Sequence, residues 1–211
     1  GLKIRAFQEV VDRHPALPVT GVLLYALVRQ AADRGDTADA ERWVERLLRY
    51  HPKSDHVTDA RFALADGARD RPAVARQAYR ELVARLPESG PRADARFGLA
   101  QVAMGLAAPA EAQEALDGFL KEAAPTDPRI PRALALLADA HEAQGRLDQV
   151  LRVTERFLSR FAADPAAPAI QLKRGYLLLR ERQWDPARQA LEAARDAGEP
   201  AVAAPAHVWL G

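Results

Sequence analysis

The 211-residue chain contains no cysteine. Disulfides, Cys-based zinc sites and thiol catalysis are therefore excluded within it. Such a chain is compatible with either the cytoplasm or the periplasm. No apolar run approaches the ~18 residues that a membrane-spanning helix needs. The opening stretch "GLKIRAFQEVV" lacks the apolar core of a signal peptide, so any targeting segment is expected outside these residues. Neither sign of charge dominates: 30 Lys and Arg stand against 29 Asp and Glu, a net of +1. No bias toward nucleic acid or anionic membrane follows. Lysine is scarce (Lys3, Lys53, Lys121 and Lys173), and the arginines are interleaved with acids, the pattern of solvated helix faces.

Motifs that carry chemistry are also missing. There is no Gly-rich phosphate loop and no Ser flanked as in a nucleophile elbow. "HEAQG" begins like a zinc-protease motif at His141, but Gly145 stands where its second His is required. His141 falls instead at the buried position that Ala31 and Leu178 occupy in other repeats. His14 and His51 each precede a helix-ending proline, where the helix dipole favours them. His51 and His56 flank Pro52 and cannot share a helical face. No enzymatic activity, catalytic residue, metal or cofactor is expected.

What the sequence does contain is a repeat. Proline-marked breaks fall at Pro15, Pro52, Pro87, Pro125, Pro165 and Pro200, at intervals of 37, 35, 38, 40 and 35 residues. Inside each interval the apolar residues follow helical spacing. Each interval also breaks once in its middle, at "RGDT" 34–37, "RDRP" 69–72, "LAAP" 106–109, "QGRL" 144–147 and "RQWDP" 182–186. Every repeat therefore reads as two helices joined by a tight turn. The expected repeats are 16–52, 53–87, 88–125, 126–163 and 164–200, with partial repeats at 1–15 and 201–211, making one array over 1–211. About twelve helices are predicted.

Small residues recur in register. Ala40, Ala75, Ala112, Val150 and Ala187 stand just inside the second helices, and Val28, Ala63, Gly98, Ala138, Gly175 and Gly211 in the first helices. Antiparallel helices 8–10 Å apart need small side chains where their backbones come closest. Leu24, Leu27, Val44, Leu47, Leu134, Leu137 and Phe157 are predicted to fill the space around them. Asp127-Pro128, Asp164-Pro165 and Asp185-Pro186 are predicted N-caps followed by a first-turn proline. Gly35 and Gly145 are predicted C-terminal helix stops.

The run "GYLLLRERQWDPARQALEAA" and the repeat "LALLADAHEAQGRLDQVLRVTERFLSRF" resemble the tetratricopeptide (TPR) repeats. Gly175, Trp184 and Ala187 match that family's small residue, aromatic and alanine. The openings "HPKSDHVTDARFALA", "LPESGPRADARFGLA" and "EPAVAAPAHVWLG" are similar to those of longer-repeat TPR proteins of the bacterial cell envelope, such as the outer-membrane assembly lipoprotein and the Tol–Pal-associated periplasmic protein. The resemblance implies an all-α fold, a right-handed α-solenoid of antiparallel helix pairs. "AHVWLG" matches the middle of a first helix and "IRAFQEVVDRHP" a second helix, so neighbouring repeats of the same chain are expected beyond both ends.

The family's inward positions carry over to Tyr25, Arg29 and Asp33, to Arg92 and Leu99, to Arg132, Asp139 and Glu142, and to Tyr176 and Arg180. Spacings of 3, 4 and 7 place each set on one helical face. The alternative is that they are solvated residues in local ion pairs such as Arg29–Asp33, worth about 0.3–0.5 kcal/mol each. The function the resemblance implies is a non-catalytic scaffold that binds a protein or peptide in its concave groove, in the periplasm or at the outer membrane. A cytoplasmic adaptor, or the regulatory arm of an enzyme whose catalytic domain lies outside these residues, are the alternatives.

Overall fold

The structure, a computed structural model, describes residues 2–68 and 70–210. The small-residue position expected at Gly211, and Arg69 at the head of the 69–72 turn, lie outside the described residues. The chain forms two compact units, Gly1–Ala107 and Ala108–Gly211. The first holds α1 (Leu2–Arg13), α2 (Pro18–Asp33), α3 (Thr37–Tyr50), α4 (His56–Gly67), α5 (Pro72–Arg85) and α6 (Gly90–Gly105). The second holds α7 (Pro109–Glu122), α8 (Ile130–Ala143), α9 (Leu147–Phe161), α10 (Ala167–Arg180), α11 (Trp184–Asp196) and α12 (Pro200–Leu210). No strand occurs among the described residues. Within each unit consecutive helices pack side by side, and α2 also packs on α4 and α10 on α12. The short connections make neighbours antiparallel.

Three turns close in the same way. The Asp36, Arg146 and Gln183 amides donate to the carbonyls of Ala31, His141 and Leu178, five residues back, while Gly35, Gly145 and Arg182 donate three residues back. This pair of bonds satisfies the last carbonyls of the preceding helix. It requires a left-handed residue at the stop. Gly35 (φ 71°) and Gly145 (φ 70°) supply it as expected, but Arg182 (φ 58°) does the same job with a side chain, at a cost of roughly 1 kcal/mol.

The helix starts differ from the sequence expectation. α8 and α10 begin three residues after Asp127 and Asp164, so neither Asp is the N-cap. Each instead closes a turn two residues wide: the Asp127 carboxylate accepts the Arg129 amide at 2.8 Å, and Asp164 accepts the Ala166 amide at 2.8 Å. The prolines that occupy the first helical turn are Pro131 and Pro168. Asp185 lies inside the first turn of α11, where it meets the positive end of the helix dipole without capping it.

The cores are built from the predicted residues. Leu24, Leu27, Val28 and Leu47 are at most 1% exposed in the first unit, as are Leu134, Ala138, Val150 and Phe157 in the second. Ala40, Ala75, Ala112 and Ala187 are buried. A Cβ on Gly175 would lie 3.3 Å from the Ala187 carbonyl and 2.7 Å from Leu191, so α10 and α11 do meet at these small residues. Ala63 is half-buried. One turn on, Gly67 abuts α2: a Cβ there would fall 2.7 Å from Ala32 Cβ and 2.8 Å from Ala32 Cα. Gly98 faces the Tyr79 ring of α5, which leaves no room for a Cβ there.

Candidate functional site

An open concavity of about 750 Å³ lies between α2 and α4. Gly67 and Ala32 form its floor, since only a glycine lets the two backbones approach so closely. Tyr25, Arg29 and Asp33 line one wall, as expected from their spacing, and Asp59, Phe62 and Asp66 of α4 line the other. Arg34 and Asp70 stand at one end. Tyr25 and Phe62 are half-buried, while Arg29, Asp33, Asp59 and Asp66 are exposed. No ion pair joins Arg29 to Asp33. Asp66 accepts the buried Tyr79 hydroxyl, and Asp70 accepts the hydroxyl of Thr37. Burial and the Asp66 carboxylate together push the Tyr79 phenol well above its ordinary range. Tyr79 therefore stays a neutral donor at any physiological pH.

The Tyr25 ring stacks on His56 with centroids 5.1 Å apart and planes within 2°. His51 turns the other way. Its Nε2 lies 2.8 Å from the Pro15 carbonyl and 2.9 Å from Thr20 Oγ1. The carbonyl can only accept, so Nε2–H donates, and His51 ties the end of α3 to the start of α2. The two histidines do share a small hollow with Pro18, Val22 and Lys53, because the turn at Pro52 folds back between α3 and α4.

In the second unit, Asp139 and Glu142 of α8 converge on Lys173 of α10, whose Nζ lies 2.8 Å from Asp139 and also meets Glu142. Tyr176 packs against Trp209 of α12 at 5.1 Å, and the Arg180 guanidinium lies 6.0 Å from the Tyr176 ring centre. Arg132 is exposed on α8. Of the remaining expected positions, Arg92 pairs with Glu88 at 3.0 Å. Leu99 is 7% exposed and so offers a partner almost no surface; one turn from Ala95 and Ala103, it belongs to the packed side of α6.

Sequence reasoning missed Lys173, Trp209 and the whole α4 wall. Lys173 lies on the same helical stripe as Tyr176 and Arg180. The α4 wall carried a usable signal, since Asp59, Phe62 and Asp66 recur at the 3- and 4-residue spacing of one face. Trp184, matched to the family's aromatic, is 62% exposed. Among the described residues no group of three or more His, Asp or Glu could hold a metal ion, and no helix is long and apolar enough to cross a membrane.

Consecutive antiparallel helix pairs within each unit define an α-helical repeat fold. The model of the tetratricopeptide repeat family matches residues 60–128 and 97–149. The structure of YrrB, described as a TPR protein with an unusual peptide-binding site, covers 97% of this chain and 99% of its own at a TM-score of 0.70 and 13% identity. PilF of Pseudomonas aeruginosa covers 90% of both chains (TM-score 0.58, 20% identity). A tetratricopeptide repeat protein of Parabacteroides merdae covers 97% of this chain and 91% of its own (TM-score 0.55, 16% identity). These likenesses show the fold. No curated protein matches the chain in sequence.

Proposed function

We propose that this protein is a non-catalytic scaffold that binds a segment of a partner protein, and that the α2/α4 groove makes the contact. The observation that carries this reading is the groove itself: a pre-formed concavity of about 750 Å³ with two aromatic walls and charged rims. Packed helices lose little conformational entropy when they bind, so a modest contact area suffices. YrrB, which shares the fold, is described as binding peptide, in support. The faces around Arg132, Tyr176 and Arg180 are proposed as secondary contacts.

The test is affinity capture with the wild type and with a Tyr25→Ala/Phe62→Ala double variant. A partner held by the wild type and lost from the variant, at unchanged helical circular dichroism, is the expected result. Retention of the same partner would remove the groove from the function. The compartment we propose is the bacterial cell envelope, supported by the likeness of the repeat openings to envelope TPR proteins. Fractionation of the native protein decides it, and recovery in the cytosol would point to the adaptor alternative.

A further inference from the structure

The groove is acidic in a particular way. Asp33, Asp59, Asp66 and Asp70 line it, against Arg29 and Arg34. Among the described residues, none of these four carboxylates forms an ion pair. Arg34 is turned onto Asp39, outside the groove, at 3.4 Å. Asp66 and Asp70 are held by hydroxyl groups, those of Tyr79 and Thr37. A hydroxyl donor orients a carboxylate without cancelling its charge, which therefore remains available to a ligand. Asp33 on α2 and Asp59 on α4 have neither a hydrogen-bond nor an ion-pair partner among the described residues. A cleft lined by one sign of charge over low-dielectric walls concentrates its field. The Tyr25 and Phe62 rings add faces to which a cation is attracted.

Resting on the groove reading above, we infer that the partner segment is basic: Arg or Lys side chains enter between Asp33, Asp59 and Asp66 and lie against Tyr25 and Phe62. Arg29 opposes this by its charge, but it is exposed, and its long side chain can swing into solvent.

The test uses fluorescein-labelled peptides of equal length, a Gly-Arg, a Gly-Glu and a Gly-Ser repeat, read by anisotropy against the whole chain. The variant is Asp33→Asn/Asp59→Asn. Neither carboxylate makes an internal bond, so folding should be untouched, and melting checks this. Asp148→Asn, at an exposed site of the second unit, is the control. The Gly-Arg peptide is expected to bind, the others not, with roughly tenfold weakening in the double variant and none in the control. Binding should also weaken as salt shortens the screening length below about 8 Å. Equal binding of the three peptides, failure of the Gly-Arg peptide to bind, or indifference to the double variant would each overturn the inference. If binding is blind to charge but lost in Tyr25→Ala/Phe62→Ala, the groove still binds and only the basic class falls. If no binding responds to the aromatic variant, the groove reading falls with it.

Discussion

In the first unit Asp66 and Asp70 are held by the hydroxyls of Tyr79 and Thr37, while in the second Asp139 and Glu142 are held by the Lys173 ammonium. Asp66, Asp139 and Glu142 stand on first helices of helix pairs, and Asp70 in the turn after one. The first unit keeps its negative charge and leaves an open groove around it. The second neutralises its carboxylates within its own surface. The aromatic residues differ only in geometry: Tyr25 lies parallel to His56 at the groove wall, whereas Tyr176 meets Trp209 at a tilt of 58°. The same scaffold thus gives one face suited to a ligand of defined charge and another that satisfies itself. What differs is the donor that the neighbouring helix supplies.

The comparison breaks most readily at Gly67. Gly67→Ala should push α2 and α4 apart, because the new Cβ meets Ala32 Cβ and backbone, which cannot rotate away. We expect a loss of about 2–3 kcal/mol, read by urea unfolding, together with a widened groove. A loss under about 0.5 kcal/mol, the size of an ordinary surface change, would mean that the groove floor is not built by this contact.

His141 tests the second unit. It is 6% exposed with its Nδ1 lacking a partner. Burial lowers its pKa from the ordinary 6.5; Asp117 counteracts this, and Arg146 and Arg152 reinforce it. The folded protein therefore keeps His141 neutral where the unfolded chain protonates it. Stability should fall as the pH drops below 6.5 and level off beneath the depressed folded value. His141→Leu should remove that slope and add about 1 kcal/mol at neutral pH, by deleting a buried group with no bond. A melting temperature equally pH-dependent in both proteins would assign the slope to another group.

Lys173→Met should cost about 0.5–1 kcal/mol and turn the second face acidic. Its sharper readout is binding: the variant should gain some affinity for the Gly-Arg peptide. If it gains none, the carboxylates alone do not make the first unit's groove. The smallest effect is expected at Arg182→Gly. The left-handed turn would lose its strain, but the unfolded chain would gain freedom, leaving a net stabilisation of about 0.5 kcal/mol by thermal melting.

Much of this was legible beforehand. The helix pairs follow from proline spacing and apolar periodicity, since both are local. Gly35 and Gly145 announced their turns because glycine alone enters the left-handed region freely. His141 was placed in the core by its register with Ala31 and Leu178, and the three indeed end their helices with the same bond pattern. Gly67, where α4 meets α2, was not legible, because register with other repeats does not tell how far α4 slides along α2. Leu99 was read onto the open face for the same reason: spacing locates a stripe, but rotation about the helix axis decides whether it points to solvent.

By itself, then, the sequence determined an all-helical repeat of TPR-like fold without cysteine chemistry or a spanning helix, because period, caps and turns act within a few residues of the chain. Which carboxylates would stay charged and open was decided only by tertiary structure. Thr37 lies 33 residues from Asp70, and Lys173 lies 34 from Asp139. At such separations a partner is chosen by how two helices pack, and that geometry turns an ordinary scattering of Asp and Arg into a groove on one unit and a closed ion network on the other.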